Sequence, residues 1–367
     1  MKIAFDSETF CQQSYGGISR YFARLVEQFI LMKQDVGIFA PLHRNNYINR
    51  LPPGIVHGFR LRSYMPKGSR MMISLNRYVS MPLIKSWKPD VVHETYYTKS
   101  FLSPKLCPSI VTIHDMIFEL FPGDFPSRFY TSQLKKHAIE RAKHIICISE
   151  NTRRDLITIY NTNPNKISVV HHGFNKFNVY NNKEINLNLH NKPYLLYVGS
   201  RSIYKNYLGF IRSVSYSKKL KKDFNIIAFG GGKFDSSELS QMKKLGFLPD
   251  QIIQLSGDDN ILAFLYKKAA AFVYPSLYEG FGLPPLEAMA NNCPVISSNT
   301  SSMPEVIGDA GEYFNPQIVE EIALAIEKVV YSPIRSQELI EKGQKRLTQY
   351  SWKDCAEKTL DIYKSIV

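Results

Sequence analysis

Short runs of β-branched and aromatic residues recur along this chain, each followed by a stretch whose apolar positions fall at helical spacing. Ile3 to Phe5 is the first run. After a loop through Tyr15-Gly16-Gly17, the positions Ile18, Phe22, Leu25, Val26 and Phe29 predict a helix over 18–31. Strands are expected over 35–39, 91–93, 109–113, 144–148 and 167–170, with helices over 127–142 and after a Ser149 cap. The alternation pauses over 173–192, where seven asparagines and little periodicity predict an interdomain linker. It resumes with strands over 194–198, 225–229, 252–255, 270–274 and 295–298, separated by helices over 207–220, 236–245 and from 261. Such alternation implies parallel sheets covered on both faces. The expected fold class is α/β with two doubly wound domains, 1–172 and 193–350, and a final helix over 351–367. That helix has Ser351 as its N-cap and Trp352, Ala356, Leu360, Tyr363 and Val367 on one face. Ligands of open parallel sheets collect beyond the carboxyl ends of the strands, so a cleft between the two domains is the expected site.

The densest chemistry lies in Tyr274 to Ala290, which reads YPSLYEGFGLPPLEAMA. An apolar strand should end near Tyr274. A loop should carry Glu279, Gly280 and Gly282, and a helix should run from about Pro284 to Ala290, its first turn tolerating proline. A glycine-rich strand-to-helix loop offers backbone N–H groups at a positive helix end, which suits a phosphate or diphosphate. Glu287, about one turn into the helix, is placed to accept from a ribose diol. Gly199-Ser200-Arg201 and Lys205 follow the first strand of the second half, and two cations four residues apart suit phosphate oxygens. The adjacent acids Asp258-Asp259 read as the cap of the next helix, so no metal site is expected.

The block of two glutamates, the intervening GFGLP and the following Glu-Ala-Met-Ala resembles the E-x7-E signature of the retaining, GT4-type glycosyltransferases of the GT-B fold. The resemblance implies two Rossmann-like domains, with the terminal helix crossing back onto the first. It implies transfer of a hexose from a nucleotide sugar, GDP-mannose before UDP sugars, to a glycan or lipid-linked acceptor. No cofactor is implied beyond the donor, and the front-face mechanism needs no metal. Arg201 and Lys205 match the family's cations on the donor diphosphate, although Asn206 stands where many relatives have glycine. Glu279 would support the sugar ring. Gly280, Phe281, Gly282, Leu283 and Glu287 would hold the rest of the donor.

In the first half, Gly16 and Gly17 are implied to lie over the donor phosphates, and the surrounding YGGISRY is similar to a subgroup associated with mannosyl transfer. His114-Asp115 closes a strand and is implied to approach the sugar, with Asp115 orienting the imidazole or binding acceptor. His93-Glu94 is expected on the acceptor side, and His171-His172 at the hinge.

A formal charge of +14 points to an anionic partner. The Lys218–Lys222 cluster reads as the solvated end of a helix. Within 60–88, basic residues are interleaved with Met71, Met72, Ile73, Leu75, Tyr78, Val79 and Met81. Two readings fit that segment: a helix lying on an anionic membrane surface, or a core-facing helix with a solvated basic back. No nucleic-acid motif accompanies the charge, so nucleic acid is not an expected partner. Five scattered cysteines without C-x-x-C spacing, and no apolar run long enough to span a bilayer, lead to a cytoplasmic expectation, with a peripheral membrane position alongside it. The rival readings are a GT-B sugar-nucleotide epimerase and a basic binding protein without catalysis.

Overall fold

A computed structural model describes residues 1–61, 69–99, 107–125, 128–174 and 192–367. Most of the expected linker, residues 175–191, lies outside the described residues, as do positions 62–68 of the basic segment. The chain forms two compact units, Met1–Gly173 with Ser351–Val367, and Phe174–Tyr350.

Six parallel strands build the first unit's sheet, in the order Asp35–Ile38, Lys2–Phe5, Val91–Glu94, Ser109–Ile113, His144–Cys147, Ile167–Val169. Every residue of Val91–Glu94 and Ser109–Ile113 is buried, the pattern of a sheet covered on both faces. The strand order reverses between Lys2–Phe5 and Val91–Glu94. Helix Gly17–Leu31 buries Tyr21, Phe22, Leu25, Val26 and Phe29 against the sheet. The same core takes up the C-terminal helix Trp352–Ile366 through Trp352, Cys355, Ala356, Leu360 and Tyr363. Ser351 Oγ accepts from the Asp354 N–H, as its cap position predicts. Val367 departs from the expected face and is 65% exposed, because the helix ends one residue earlier.

The second unit's sheet is also all-parallel, ordered Ile252–Leu255, Asn225–Phe229, Tyr194–Val198, Ala271–Tyr274, Val295–Ser298, Gly311–Phe314. Its reversal falls between Tyr194–Val198 and Ala271–Tyr274. The helix expected over 207–220 ends at Tyr216, because Ser217 turns extended and its hydroxyl caps a separate helix, Lys218–Asp223. The lysine cluster is therefore a short helix of its own, anchored by buried Leu220, and not the end of a longer one. Asp258 caps helix Asp259–Lys268 by accepting from Asn260 and Ile261, which accounts for that acidic pair structurally.

Candidate active site

In the second unit, the loops leaving the two strands at the reversal meet beyond their carboxyl ends. The backbone N–H of Leu277 donates to Tyr204 O at 2.7 Å, locking one loop to the other. Across that junction Lys205 Nζ lies 2.6 Å from Glu279 Oε1. The ammonium also sits 5.4 Å from the Tyr204 ring centroid and 5.6 Å from that of Tyr274. Burial, and then the charge of Glu279, push the Tyr274 phenol well above its ordinary range. Glu279 itself is buried.

A rail of hydroxyls fixes the backbone that carries Glu279. Ser298 Oγ donates to Ser276 O at 2.6 Å and Thr300 Oγ1 to Leu277 O at 3.0 Å. Ser301 Oγ accepts from the Glu279 N–H and donates to Glu279 O. Ser302 Oγ donates to both Glu279 O and Phe281 O, at 2.8 Å each. Sequence reading misses this rail, because Ser302 with Glu305 resembles a helix capping box. The structure gives Ser302 no side-chain cap bond. The available signal is the SSNTSS run that ends the strand Val295–Ser298 and continues into the loop after it.

Gly282 takes φ +110° to turn the chain into helix Leu283–Ala290, a conformation costly for any residue with a Cβ. Pro284 and Pro285 occupy the first turn, so Leu283 alone among the first three helical residues keeps an N–H. The first turn of this helix therefore offers an anion few backbone donors of its own. Glu287 is buried on that helix, with the Tyr266 hydroxyl 3.5 Å from its Oε2.

Arg201 and Lys205 do not face one group in this structure. The Arg201 guanidinium pairs with Glu238 through Nε and Nη2. Its remaining donors reach Gly230 O and Lys233 O, and it stacks 4.7 Å from the Phe234 ring centroid. A Cβ on Gly231 would stand 2.6 Å from Arg201 Nη1, so the triple-glycine turn leaves room for this clamp. A cavity of about 440 Å³ adjoins it, lined among others by Tyr207, Arg212, Met242 and Pro316.

The first unit places its candidates differently. Gly16 leads into helix Gly17–Leu31, and Gln13 Oε1 supplies the missing cap by accepting from the Ser19 N–H. A Cβ on Gly16 would stand 2.2 Å from that oxygen, whereas one on Gly17 meets nothing within 4 Å. His114 is packed against Tyr21, Phe22 and His172. Its Nε2 is buried without a hydrogen-bond partner among the described residues. Burial, and then the Lys135 charge, hold its pKa down to about 3. Asp115 Oδ1 accepts from the Ile117 N–H, a local turn bond, while buried Lys135 donates to Asp115 O and Glu119. His93 lies among Phe5, Phe22 and Tyr363, Glu94 pairs with Arg141, and His172 packs on Tyr21 and Trp352. These contacts are those of core residues.

Comparison with known proteins adds to this geometry. The profile of the family described as Glycosyl transferases group 1 matches residues 179–346, and that of Glycosyltransferase Family 4 matches residues 15–176. The O-antigen chain mannosyltransferase RfbU of Salmonella typhimurium is 33% identical over 253 residues, 68% of either chain. The O-antigen chain mannosyltransferase B of Escherichia coli is 27% identical over 99% of this chain and all of its own. Among solved structures, sucrose-phosphate synthase from Thermosynechococcus elongatus superposes with a TM-score of 0.74 at 19% identity, covering 100% of this chain and 99% of that one. Anabaena Alr3699/HepE, solved with UDP and glucose, gives 0.74 at 17% identity over 100% of each chain. The fold is GT-B.

Proposed function

Because the chain belongs to the group 1, Family 4 glycosyltransferases, we propose that it moves a hexose, with retention, from a nucleoside diphosphate sugar to a glycan or lipid-linked glycan. Mannose is the favoured sugar and GDP-mannose the favoured donor, ahead of UDP sugars, because the two relatives described above are named as mannosyltransferases. The observation that carries the reading is the Lys205–Glu279 contact at the strand reversal, with Glu287 on the helix that follows. Lys205 is a fixed cation for the departing diphosphate, and Glu279 a fixed anion for the positive charge that grows on the sugar ring. Glu287 accepts from the ribose diol. The sugar–phosphate bond breaks with its electron pair going to the diphosphate, and the acceptor oxygen bonds to the same face. The acceptor's proton passes to the departing phosphate oxygen. Arg201 joins Lys205 on the diphosphate once released from Glu238, so the leaving group is neutralised by side chains without a metal. Gly280, Phe281, Gly282 and Leu283 supply backbone to the donor. A lipid-linked acceptor makes the cytoplasmic face of a membrane the place of work.

A panel of nucleotide sugars tests this by thermal shift, since a ligand that binds only the folded state raises the melting temperature. GDP-mannose is expected to give the largest rise, and the transferred sugar should keep its anomeric configuration by NMR, in excess EDTA as well as without it. An inverted product, or activity lost to EDTA and restored by magnesium, overturns the mechanism. A new nucleotide sugar formed without acceptor would favour an epimerase.

A further inference from the structure

The basic segment expected either on a membrane or against the core includes helix Ser69–Trp87, which carries polar side chains among its inward positions and an apolar stripe outside. Among its described side chains, from Ile73 onward, the buried positions Asn76, Ser80 and Ile84 recur four apart, and two of the three are polar. Asn76 Oδ1 accepts from the Leu42 N–H at 2.7 Å, and its Nδ2 donates to Leu42 O and Cys11 Sγ. Arg77 grips Glu8 through Nε at 2.5 Å and Nη2 at 3.1 Å. Ile84 and Trp87 pack inward, but four other apolar side chains are outside: Leu75 is 48% exposed, Tyr78 81%, Val79 37% and Leu83 42%. Their spacing of three, four and eight residues from Leu75 puts them on one stripe.

Charge decides the partner. From Val36 through Pro89 the chain carries nine lysines and arginines and no aspartate or glutamate. Lys85 and Lys88 stand exposed at the helix's C-terminal end. A second copy of the chain would bring two such basic surfaces together, which like-charge repulsion opposes. An anionic bilayer offers an acyl boundary for the stripe and negative headgroups for the lysines. Among the described residues no helix is long and apolar enough to cross a membrane.

We propose that helix Ser69–Trp87 docks the first unit in the plane of an anionic membrane surface, with Leu75, Tyr78, Val79 and Leu83 entering the acyl boundary. The inward bonds give that docking a direction. Asn76 and Arg77 hold Cys11 and Glu8, which belong to the segment leaving the first strand, Lys2–Phe5, at its carboxyl end. The helix therefore fixes that edge of the sheet beside the lipid, where the headgroup of a lipid-linked acceptor emerges. This last step rests on the acceptor class proposed above; the docking itself does not.

Vesicle flotation of the whole chain at low salt tests it without any nucleotide sugar, so the result is readable even if the transfer chemistry fails. The protein should float with an equal mixture of phosphatidylcholine and phosphatidylglycerol, stay behind with phosphatidylcholine alone, and detach as salt rises. Replacing Leu75 and Leu83 together by Ser should lower the bound fraction about tenfold, with the melting temperature unchanged. A Tyr78→Trp variant should shift its emission to the blue on the anionic vesicles. Failure of the parent to float overturns the proposal, as does flotation undiminished by the double replacement. So does self-association without vesicles that the same replacement abolishes.

Discussion

Each sheet reverses its strand order beside its first strand, and the carboxylates at the two reversals have different partners. In the first unit, Asp6 and Thr95 tie together the loops leaving Lys2–Phe5 and Val91–Glu94. Asp6 Oδ1 accepts from the N–H groups of Glu8 and Thr95 and from the Thr95 hydroxyl. The nearby arginines are engaged elsewhere, Arg77 with Glu8 and Arg141 with Glu94. Burial, and next the charge of Glu8, therefore push Asp6 up to about 8. In the second unit, Glu279 is buried almost as deeply but has Lys205 at 2.6 Å. Partner supply, more than depth, separates the two: a lysine meets Glu279, whereas the arginines near Asp6 pair with other carboxylates.

The largest expected effect breaks the charged side of that contrast. Glu279→Gln keeps an acceptor for Lys205 and removes the charge, so turnover should fall about 10²- to 10³-fold with the donor KM little changed. Glu287→Ala should do the opposite, raising the donor KM about tenfold or more while leaving turnover close to the parent. Steady-state kinetics on both variants checks the split. Matching profiles would mean that the two glutamates do not divide ring and ribose between them.

The glycines sharpen the comparison at smaller scale. Gly282→Ala places a Cβ at φ +110°, where no neighbour crowds it, so the cost is backbone strain of about 1–3 kcal/mol. Gly17→Ala, inside a helix and facing open space, should leave denaturant stability unchanged or slightly raised. A rise in donor KM for Gly17→Ala at unchanged stability would then report a ligand against that backbone.

The parts legible in the sequence were those governed by local periodicity and turn chemistry. The strand–loop–helix at Ala271 to Ala290 follows from an apolar run, two glycines and two prolines, and Ser149, Asp258 and Ser351 cap the helices they precede. What sequence reading missed depends on contacts far along the chain. Ser302 has the spacing of a cap yet serves carbonyls 21 and 23 residues away. Arg201 and Lys205 have the spacing of a phosphate pair, yet Glu238, 37 residues on, turns the arginine aside. Helix Ser69–Trp87 shows the limit of periodicity, since its pattern does not reveal that hydrogen bonds to Leu42, Cys11 and Glu8 hold the polar side inward.

The smallest effect tests the neutral side, and its sign follows from the folded pKa. Asp6 moves from 3.8 to about 8 on folding, so the folded chain keeps a proton that the unfolded chain releases above pH 3.8. Its contribution to stability is whole below that value, falls as pH rises toward 8, and is flat beyond. His93 and His114 run the other way. Each is held near 3 by burial from an ordinary 6.5, so their contribution is whole above 6.5 and lost as pH falls toward 3. Asp6→Asn keeps every histidine, so the difference between the two proteins from pH 6.5 to 8 reports Asp6 alone. In that window the parent should lose about 1 kcal/mol of unfolding free energy relative to the variant for each pH unit. The variant keeps the Oδ1 acceptor and cannot ionise, so it should become the more stable form at pH 8. Urea melts of both proteins across the window decide the matter. Parallel curves would mean that Asp6 is ionised in the fold and that a cation reaches it, which would make the two strand reversals alike.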